Sequence, residues 1–242
     1  MTFTTMLYDK PIGLFDLRIS PLPVGGSVLD IGFGFGDTII NFSKAGFTTY
    51  ALDNSQELLD GLTSRVAKEN VKMTILKAEA TNIPLPDNTL DLVILTEVLE
   101  HVVPYEQLVD EIRRVLKPGG YLILSVPTYS TEKIYTFLNK DYPKNATHVN
   151  LFKKSYLKSM FAAHQFQVVK VKNENFRPAL YWVFNAAAHA QHNYVGATQS
   201  TSRLARGFDR FYDWLNSIRI GYYISEIGRY FFAKSQYYYL RK

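Results

Sequence analysis

The chain has 242 residues, of which 47% are hydrophobic, and a formal net charge of +5, which suits one large domain or one domain with an insertion. It contains no run of about 18 uncharged apolar residues, which predicts no membrane span, and its first ten residues lack the basic and apolar regions of a secretory signal. The absence of cysteine excludes disulfides, thiolate metal sites and a cysteine nucleophile, and it favours a cytoplasmic location.

Apolar runs alternate with helical patterns through the first half of the chain. Because strands that alternate with helices form βαβ units, this order predicts a Rossmann-like, doubly wound and mostly parallel α/β sheet. Ligands of such sheets bind at the carboxyl ends of the strands. The predicted elements are strands over 27–32, 48–54, 72–79, 90–97 and 121–127, helices over 37–45, 55–70 and 105–116, and a loop over 82–89.

The rest of the chain predicts one more helix, two more strands and a helical insertion. Residues 152–165 have helical spacing, 166–176 alternate like a strand, and 236–241 are predicted to form an antiparallel edge strand of a seven-stranded sheet. The predicted domains are therefore a core over 1–176 that starts with an N-terminal helix, a helical lid insertion over 177–234, and the final edge strand of the core over 235–242.

The stretch VLDIGFGFGD, residues 28–37, carries three glycines directly after the first predicted strand. A dinucleotide-binding loop needs a third glycine where this chain has Asp37, counting from Gly32, or Ile39, counting from Gly34. Asp37 at the start of the next helix would also repel a phosphate, and no Gly-Lys-Ser/Thr sequence follows for a P-loop. The loop therefore predicts a nucleoside ligand without phosphate and excludes a nicotinamide-dependent oxidoreductase.

Acidic residues stand at the ends of successive predicted strands, namely Asp30, Asp53, Glu79 and Glu97. Together they favour a cationic ligand through the local field. Asp53 is placed to accept hydrogen bonds from a ribose diol, and the alternative is that it caps the helix that begins at Ser55. S-adenosylmethionine has an adenosine, a sulfonium cation and no phosphate, and it meets these requirements.

Five stretches occur in this order: VLDIGFGFGD, ALDNS, AEATNIPLPDNTLDLVILTEVLEHV, LKPGGYLILSVP and HVNLFKKSYLKSMFAAHQFQVV. Together they cover about residues 27–176 and resemble class I S-adenosylmethionine-dependent methyltransferases of the small-molecule type. The resemblance implies a Rossmann-like fold, S-adenosylmethionine as the cofactor and methyl transfer as the activity.

The resemblance also implies which residues bind the cofactor. Asp30 and the backbone at Gly32 would hold the methionine end, and Asp53 would accept hydrogen bonds from both ribose hydroxyls. Phe33 would pack under the loop. The other implied residues are Gly34 and Gly36, where the chain passes close to the cofactor, Asn54, Glu79 at the adenine amino group, Ala80 through its N–H to the adenine ring, and Thr96 and Glu97 on the methionine side.

Two histidines, His101 and His148, are the catalytic candidates, because a hydroxyl acceptor needs a base. If residues 97–101 turn helically, Glu97, Glu100 and His101 share one face, and His148 could complete a divalent-cation site. That pattern resembles ubiquinone-biosynthesis O-methyltransferases and small-RNA 2′-O-methyltransferases. In the preferred alternative Glu97 lines the cofactor, Glu100 is solvated and His101 packs against the loop, so no metal site is predicted.

The last forty residues, 203–242, have a composition of their own, with 8 basic and 3 acidic residues and 12 of the 35 aromatic residues. Apolar stripes at helical spacing in the insertion predict a helical cap, which as a lid would form an aromatic acceptor pocket. A basic, aromatic helix could instead lie on a membrane surface through 203–234, with Arg203, Arg206 and Arg210 on its polar face. Contact with RNA by charge and stacking ranks lowest.

These patterns predict an S-adenosylmethionine-dependent methyltransferase that acts on a small-molecule or lipid-linked acceptor, with oxygen favoured as the methylated atom. The alternative is a non-catalytic S-adenosylmethionine-binding module that recruits partners through its aromatic C-terminal region. The predicted location is cytoplasmic, and the chain could also contact a membrane surface peripherally. Nucleic acid is not expected as a partner. The oligomeric state is left open.

Overall fold

A computed structural model of the chain describes residues 7–8, 10–138, 148–174 and 233–242. The predicted lid over 177–234 therefore lies outside the described residues, except for Ala233 and Lys234. The arginines and apolar stripes assigned to that lid, and the membrane contact proposed for them, lie outside as well. Of the helices in the described residues, none has the length and hydropathy needed to cross a membrane.

The segment before the main sheet consists of short strands and turns. Strands β1, Leu7–Tyr8, and β4, Leu22–Pro23, pair antiparallel, and so do β2, Pro11–Ile12, and β3, Phe15–Asp16. The predicted N-terminal helix is therefore wrong for residues 7–8 and 10–26. Prolines at positions 11, 21 and 23 and glycines at 13, 25 and 26 favour turns over a continuous helix.

The main sheet has seven strands in the order β10-β11-β9-β8-β5-β6-β7. The five strands from β9 to β7 are parallel to their neighbours, which confirms the predicted doubly wound architecture. Their buried apolar residues form the centre of the core, as is typical of parallel strands covered on both faces. The strands are β5, Ser27–Ile31; β6, Thr48–Asp53; β7, Thr74–Lys77; β8, Leu90–Thr96; β9, Leu116–Pro127; β10, Gln167–Glu174; and β11, Ser235–Arg241.

The helices lie between these strands, with one more than the sequence predicted. The additional helix is α4, whose first residues follow β9 without a strong start signal; there the backbone N–H of Glu132 donates to the Thr128 carbonyl. Residues 82–89 form a loop, as predicted. The helices are α1, Asp37–Lys44; α2, Gln56–Glu69; α3, Tyr105–Val115; α4, Tyr129–Leu138; α5, Lys154–Ala163; and a 3-10 helix, Leu99–His101.

The final strand is antiparallel, as predicted, but it is not the edge strand. Lys242 exchanges backbone hydrogen bonds with Gly119 and Gly120 at the start of β9, whereas Lys234 pairs with Thr128 just after the end of β9. Strand β11 thus lies between β9 and β10, and β10 forms the edge. The reason is burial: the tyrosines and leucine at 237–240 are buried, whereas every residue of β10 is exposed or half-buried, which suits an edge strand.

The chain divides into two compact units. One comprises Met1–Ser125, Ser155–Val171 and Tyr238–Lys242, and it contains the glycine-rich stretch and strands β5 to β8. The other comprises Val126–Lys154 and Lys172–Tyr237, and it contains α4.

Candidate functional site

A cavity of about 420 Å³ lies at the carboxyl ends of β5, β6, β7 and β8, within the first compact unit. This is the position where parallel α/β sheets bind ligands. Six of the predicted site residues line it: Gly32, Asp53, Asn54, Glu79, Ala80 and His101. The sequence did not point to the rest of its wall, which consists of Ile31, Leu52, Ala78, Thr81, Val98, Val102 and Val103.

The glycine-rich loop between β5 and α1 is tightly fitted at two of its glycines. Gly32 and Gly36 have φ values of +65° and +82°, where residues with a Cβ are strained. A Cβ at Gly32 would lie 2.4 Å from Val98 Cγ2, and one at Gly36 would lie 2.4 Å from Leu62 Cδ1. A Cβ at Gly34 would meet no atom within 4 Å, so the middle of the loop is open to a ligand.

Asp30 is the most perturbed acid of the site. Its side chain is 2% exposed, and its Oδ1 atom is buried without a hydrogen-bond partner. Burial, together with the smaller effect of the negative charge of Asp53, raises the pKa of the Asp30 carboxyl to about 8. A cation bound beside Asp30 would stabilise the carboxylate and give the orphaned oxygen a partner. Asp30 lies behind the cavity wall and is not part of it.

Asp53 stands at the end of β6 and is half-buried. Its Oδ1 accepts a hydrogen bond of 2.9 Å from the backbone N–H of Ser55, and Ser55 caps α2 through a 3.5 Å bond from the N–H of Leu58. The alternative that Asp53 caps α2 is therefore wrong, because Ser55 is the N-cap, and the turn bond from Ser55 occupies one Asp53 carboxylate oxygen. No hydrogen bond to Oδ2 comes from the described part of the chain, so that oxygen remains able to accept from a ligand.

Asn54 and Glu79 meet across the cavity rim. The side-chain amide of Asn54 donates to the two Glu79 carboxylate oxygens at 3.2 and 3.3 Å, and both side chains are exposed. Beside them, the Asn82 N–H donates to the Glu79 carbonyl at 3.0 Å, which closes a turn over residues 79–82. This turn, called the cavity turn below, presents Glu79, Ala80 and Thr81 to the cavity.

Glu97 lies away from the cavity wall, in an unusual backbone conformation. Its φ is +54°, a region that costs a residue with a Cβ roughly 1–2 kcal/mol. Ser125 in β9 fixes it twice: the Ser125 hydroxyl donates to Glu97 Oε1 at 2.9 Å, and the Glu97 N–H donates to the Ser125 carbonyl at 3.1 Å. Neither Thr96 nor Glu97 belongs to the described residues that line the cavity.

The helical face predicted for Glu97, Glu100 and His101 does not form. Only Leu99–His101 is helical, as a 3-10 turn, and the positive φ of Glu97 turns its side chain out of register with that turn. Glu100 is buried rather than solvated, at 1% exposed, whereas His101 is exposed on the cavity wall. A carboxylate oxygen of Glu100 and an imidazole nitrogen of His101 lie within 4.8 Å of each other.

His148, the second predicted catalytic residue, belongs to the other compact unit. There its Nδ1 lies 3.0 Å from Oε2 of Glu132 in α4, and Glu132 is buried. The sequence did not point to this partner, because α4 itself was not predicted.

Comparisons with known proteins give the family. The family model described as Methyltransferase domain matches residues 11–171. The ubiquinone/menaquinone biosynthesis C-methyltransferase UbiE of Hydrogenovibrio crunogenus is 36% identical over 115 residues, which are 45% of this chain and 44% of that protein. The chain thus spans less than half the length of the curated relatives it matches.

Solved structures give the same result for the fold. An S-adenosylmethionine-dependent methyltransferase from Aquifex aeolicus is 25% identical, with a TM-score of 0.53 over 65% of this chain and 80% of that one. Phosphoethanolamine N-methyltransferase 2 of Haemonchus contortus, solved in complex with S-adenosyl-L-methionine, is 20% identical, with a TM-score of 0.62 over 93% of this chain and 50% of that one. The latter likeness concerns the fold alone.

Proposed function

Since the chain belongs to the methyltransferase-domain family, we propose that it transfers the methyl group of S-adenosylmethionine to a small-molecule or lipid-linked acceptor, at oxygen. The observation that carries this proposal is the charge of the cavity. Asp53 and Glu79 line it and Asp30 lies behind it. The carboxylates of Asp53 and Glu79 disfavour a phosphate and favour a cation through the local field, and a bound cation would in turn favour ionisation of Asp30.

The described residues fit the methionine end of S-adenosylmethionine. The orphaned Asp30 Oδ1 matches a cationic group, which would keep the carboxyl ionised despite its burial. The open space at Gly34 allows the ligand to approach the backbone of the loop. A volume of about 420 Å³ is within the range of roughly 300–1,000 Å³ that is usual for small-molecule and cofactor sites.

The adenosine end fits the other wall of the cavity. The Ser55 N–H fixes one oxygen of the Asp53 carboxylate, and the other oxygen accepts from the ribose hydroxyls. Glu79 would accept from the adenine amino group, and the N–H of Ala80 would donate to the ring. Charged acceptors for hydroxyl and amino donors contribute about 1.5–3 kcal/mol per bond.

When bound, S-adenosylmethionine supplies a methyl group on a positively charged sulfur, which is a good leaving group. The residues of this chain then have to orient donor and acceptor and exclude water. The side chains of Val98 and Val102 form an apolar part of the wall that suits this role. Orientation of two reactants can lower a barrier by roughly 7–11 kcal/mol.

His101 is the proposed base for the acceptor. Its imidazole lies on the cavity wall, next to Val102 and to Val103, whose side chain is 71% exposed. The Glu100 carboxylate within 4.8 Å would stabilise the imidazolium that forms when His101 takes a hydroxyl proton. A base beside an apolar surface fits an acceptor with an ionisable hydroxyl on an apolar body. The quinone-biosynthesis relative supports the lipid-linked class.

Transfer of a labelled methyl group into fractionated cell extract tests the proposal. We expect label in the lipid or small-molecule fraction, as an O-methyl group by NMR, and no label with the Asp53→Ala variant. A His101→Gln variant should lose the rise in rate with pH that a base produces. Label in RNA would contradict the acceptor class, and a C-methyl product, as the name of the UbiE relative describes, would contradict oxygen.

A further inference from the structure

One face of α3 forms hydrogen bonds to residues 81–87, which include the end of the cavity turn and the loop after it. Gln107, Glu111 and Arg114 stand at positions i, i+4 and i+7 of α3, so their side chains share a face of the helix. We call these three residues the α3 polar stripe. All of their hydrogen bonds described below go to residues 81–87 or to each other, across sequence separations of up to 31 residues.

Arg114 uses its whole guanidinium for this contact. Nη1 donates to the Leu85 carbonyl and to Asp87 Oδ1, Nη2 donates to the Ile83 carbonyl and to Glu111 Oε2, and Nε donates to Glu111 Oε1, each at 2.8 Å. These bonds use all five N–H donors of an arginine, in the planar fork that lysine lacks. The arrangement therefore depends on arginine and not on positive charge alone.

Glu111 and Gln107 hold the same segment closer to the cavity. Oε2 of Glu111 accepts from the Ile83 N–H at 2.9 Å, and the Gln107 side chain donates to the Thr81 carbonyl at 3.2 Å. Ile83 is thus fixed at both its N–H and its carbonyl, and its side chain is 2% exposed. The Arg114 guanidinium lowers the pKa of the Glu111 carboxyl, which keeps Glu111 ionised as an acceptor.

This contact sits next to the residues that face the ligand. Thr81, which Gln107 holds, lines the cavity, and Asn82, which closes the cavity turn onto Glu79, directly precedes Ile83. Hydrogen bonds at Thr81 and Ile83 therefore restrain the backbone of the cavity turn, which carries Glu79 and Ala80. Among the described residues, the hydrogen bonds to the Glu79 side chain come from Asn54 alone, and their exposure makes them weak.

We propose that the α3 polar stripe is a set of positioning residues that holds the cavity turn in the geometry in which Glu79 accepts a hydrogen bond from the adenine amino group. This inference rests on the proposed function, because it assigns the cavity turn to the adenine end of S-adenosylmethionine. The stripe contacts neither the cofactor nor the acceptor directly. It acts by restricting the turn, so that less conformational entropy is lost when adenine binds.

The test compares two ligands by isothermal titration calorimetry: S-adenosylmethionine and its analogue that lacks the adenine 6-amino group. The variants are Arg114→Lys and, as matched control, Arg113→Lys, whose wild-type arginine donates to Gln165 rather than to the segment 81–87. The wild type should prefer S-adenosylmethionine by about tenfold or more, as sites with a dedicated polar partner do. Arg114→Lys should reduce this preference to about twofold, and Arg113→Lys should leave it unchanged.

The outcomes separate the two proposals. A wild type that binds neither ligand overturns the proposed function. If the wild type binds but shows no preference, or if Arg114→Lys keeps the preference or weakens both ligands equally, the positioning role is overturned. If Arg114→Lys does not fold by circular dichroism, Gln107→Ala takes its place, since Gln107 is exposed and makes a single bond to the turn. It should lower the preference by about twofold, and an unchanged preference overturns the inference.

Discussion

Two parts of the cavity are built in different ways: the ribose wall at Asp53 and the adenine wall at the cavity turn, each named after the role that we propose for it. Asp53 takes its position from the strand that it ends, and the one hydrogen bond that its carboxylate accepts from the described residues spans two residues of sequence. Glu79 lies in a turn that α3 holds from the far side, through bonds that span 26 to 31 residues. The ribose wall is therefore fixed by local backbone, whereas the adenine wall depends on tertiary contacts. Substitutions on the two walls should have different effects, and the following predictions test that difference.

The largest effect is expected on the ribose wall. Asp53→Ala should weaken S-adenosylmethionine binding by at least about 100-fold, because hydrogen bonds from two ribose hydroxyls to a carboxylate are lost. Calorimetric titration measures the effect. The control is Asp60→Ala, which removes an exposed acid of α2 bonded only to Gln56 among the described side chains. Equal affinity for both variants would show that Asp53 serves only the Ser55 turn.

The backbone of the glycine-rich loop, which also lines the cavity, is tested by Gly32→Ala. A Cβ at φ +65° would be strained and would lie 2.4 Å from Val98 Cγ2, so the free energy of unfolding should fall by about 2 kcal/mol. Gly61→Ala is the matched control, because Gly61 is in helix α2 with open space around it. That change should raise the free energy of unfolding by up to about 1 kcal/mol. Urea unfolding that shows the same shift for both would refute the tight fit at Gly32.

Asp30, which we assign to the methionine end of the ligand, should give both stability and ligand binding a dependence on pH. Its pKa of about 8 lies above the ordinary value of 3.8, so the folded, ligand-free protein binds this proton more tightly than the unfolded chain. The carboxyl therefore lowers stability progressively as pH rises from 4 to 8, and no further above that. The free energy of unfolding of Asp30→Asn minus that of the wild type should increase across this window and then level off.

Urea unfolding of both proteins at a series of pH values measures this difference, and a difference that does not change with pH would contradict the raised pKa. The same substitution should weaken S-adenosylmethionine binding at pH 9 by about tenfold, because a bound cation loses its charged partner. If Asp30→Asn is more stable than the wild type but binds S-adenosylmethionine more weakly, then Asp30 contributes to ligand binding and lowers the stability of the fold.

The smallest effect is expected where the two walls touch. Asn54→Ala removes the exposed bonds of 3.2 and 3.3 Å to Glu79, and it should weaken S-adenosylmethionine binding by no more than about threefold. A loss of tenfold or more in the same titration would mean that the ribose wall holds the cavity turn. The cavity turn would then depend on Asn54 as well as on α3.

The sequence predicted most of the ribose wall because its geometry is local. A strand that ends in an acid, followed by Ser55 as a helix cap, can be recognised from adjacent residues. The glycine spacing likewise predicted an open loop, and the three positive φ values at Gly32, Gly34 and Gly36 agree with it. Parallel order along the first half of the sheet followed from the alternation of strands and helices.

Other features depend on contacts that a single sequence does not reveal. Strand β11 pairs between β9 and β10, and which strands pair is decided by contacts distant in sequence. The left-handed backbone of Glu97 is stabilised by Ser125, 28 residues away. No local sequence signal distinguishes Arg114 near the end of α3, although it makes five hydrogen bonds to the loop and to Glu111. These bonds depend on the packing of the loop against α3.

The central claim is that the cavity beyond β5 and β6 binds a cationic, phosphate-free adenosine ligand. Calorimetric titration of the full chain with S-adenosylmethionine and, separately, with NAD tests it most directly. We predict saturable binding of one S-adenosylmethionine per chain that depends on Asp53, and no binding of NAD at the same site. Absence of binding by S-adenosylmethionine, or displacement of it by NAD, would contradict the claim.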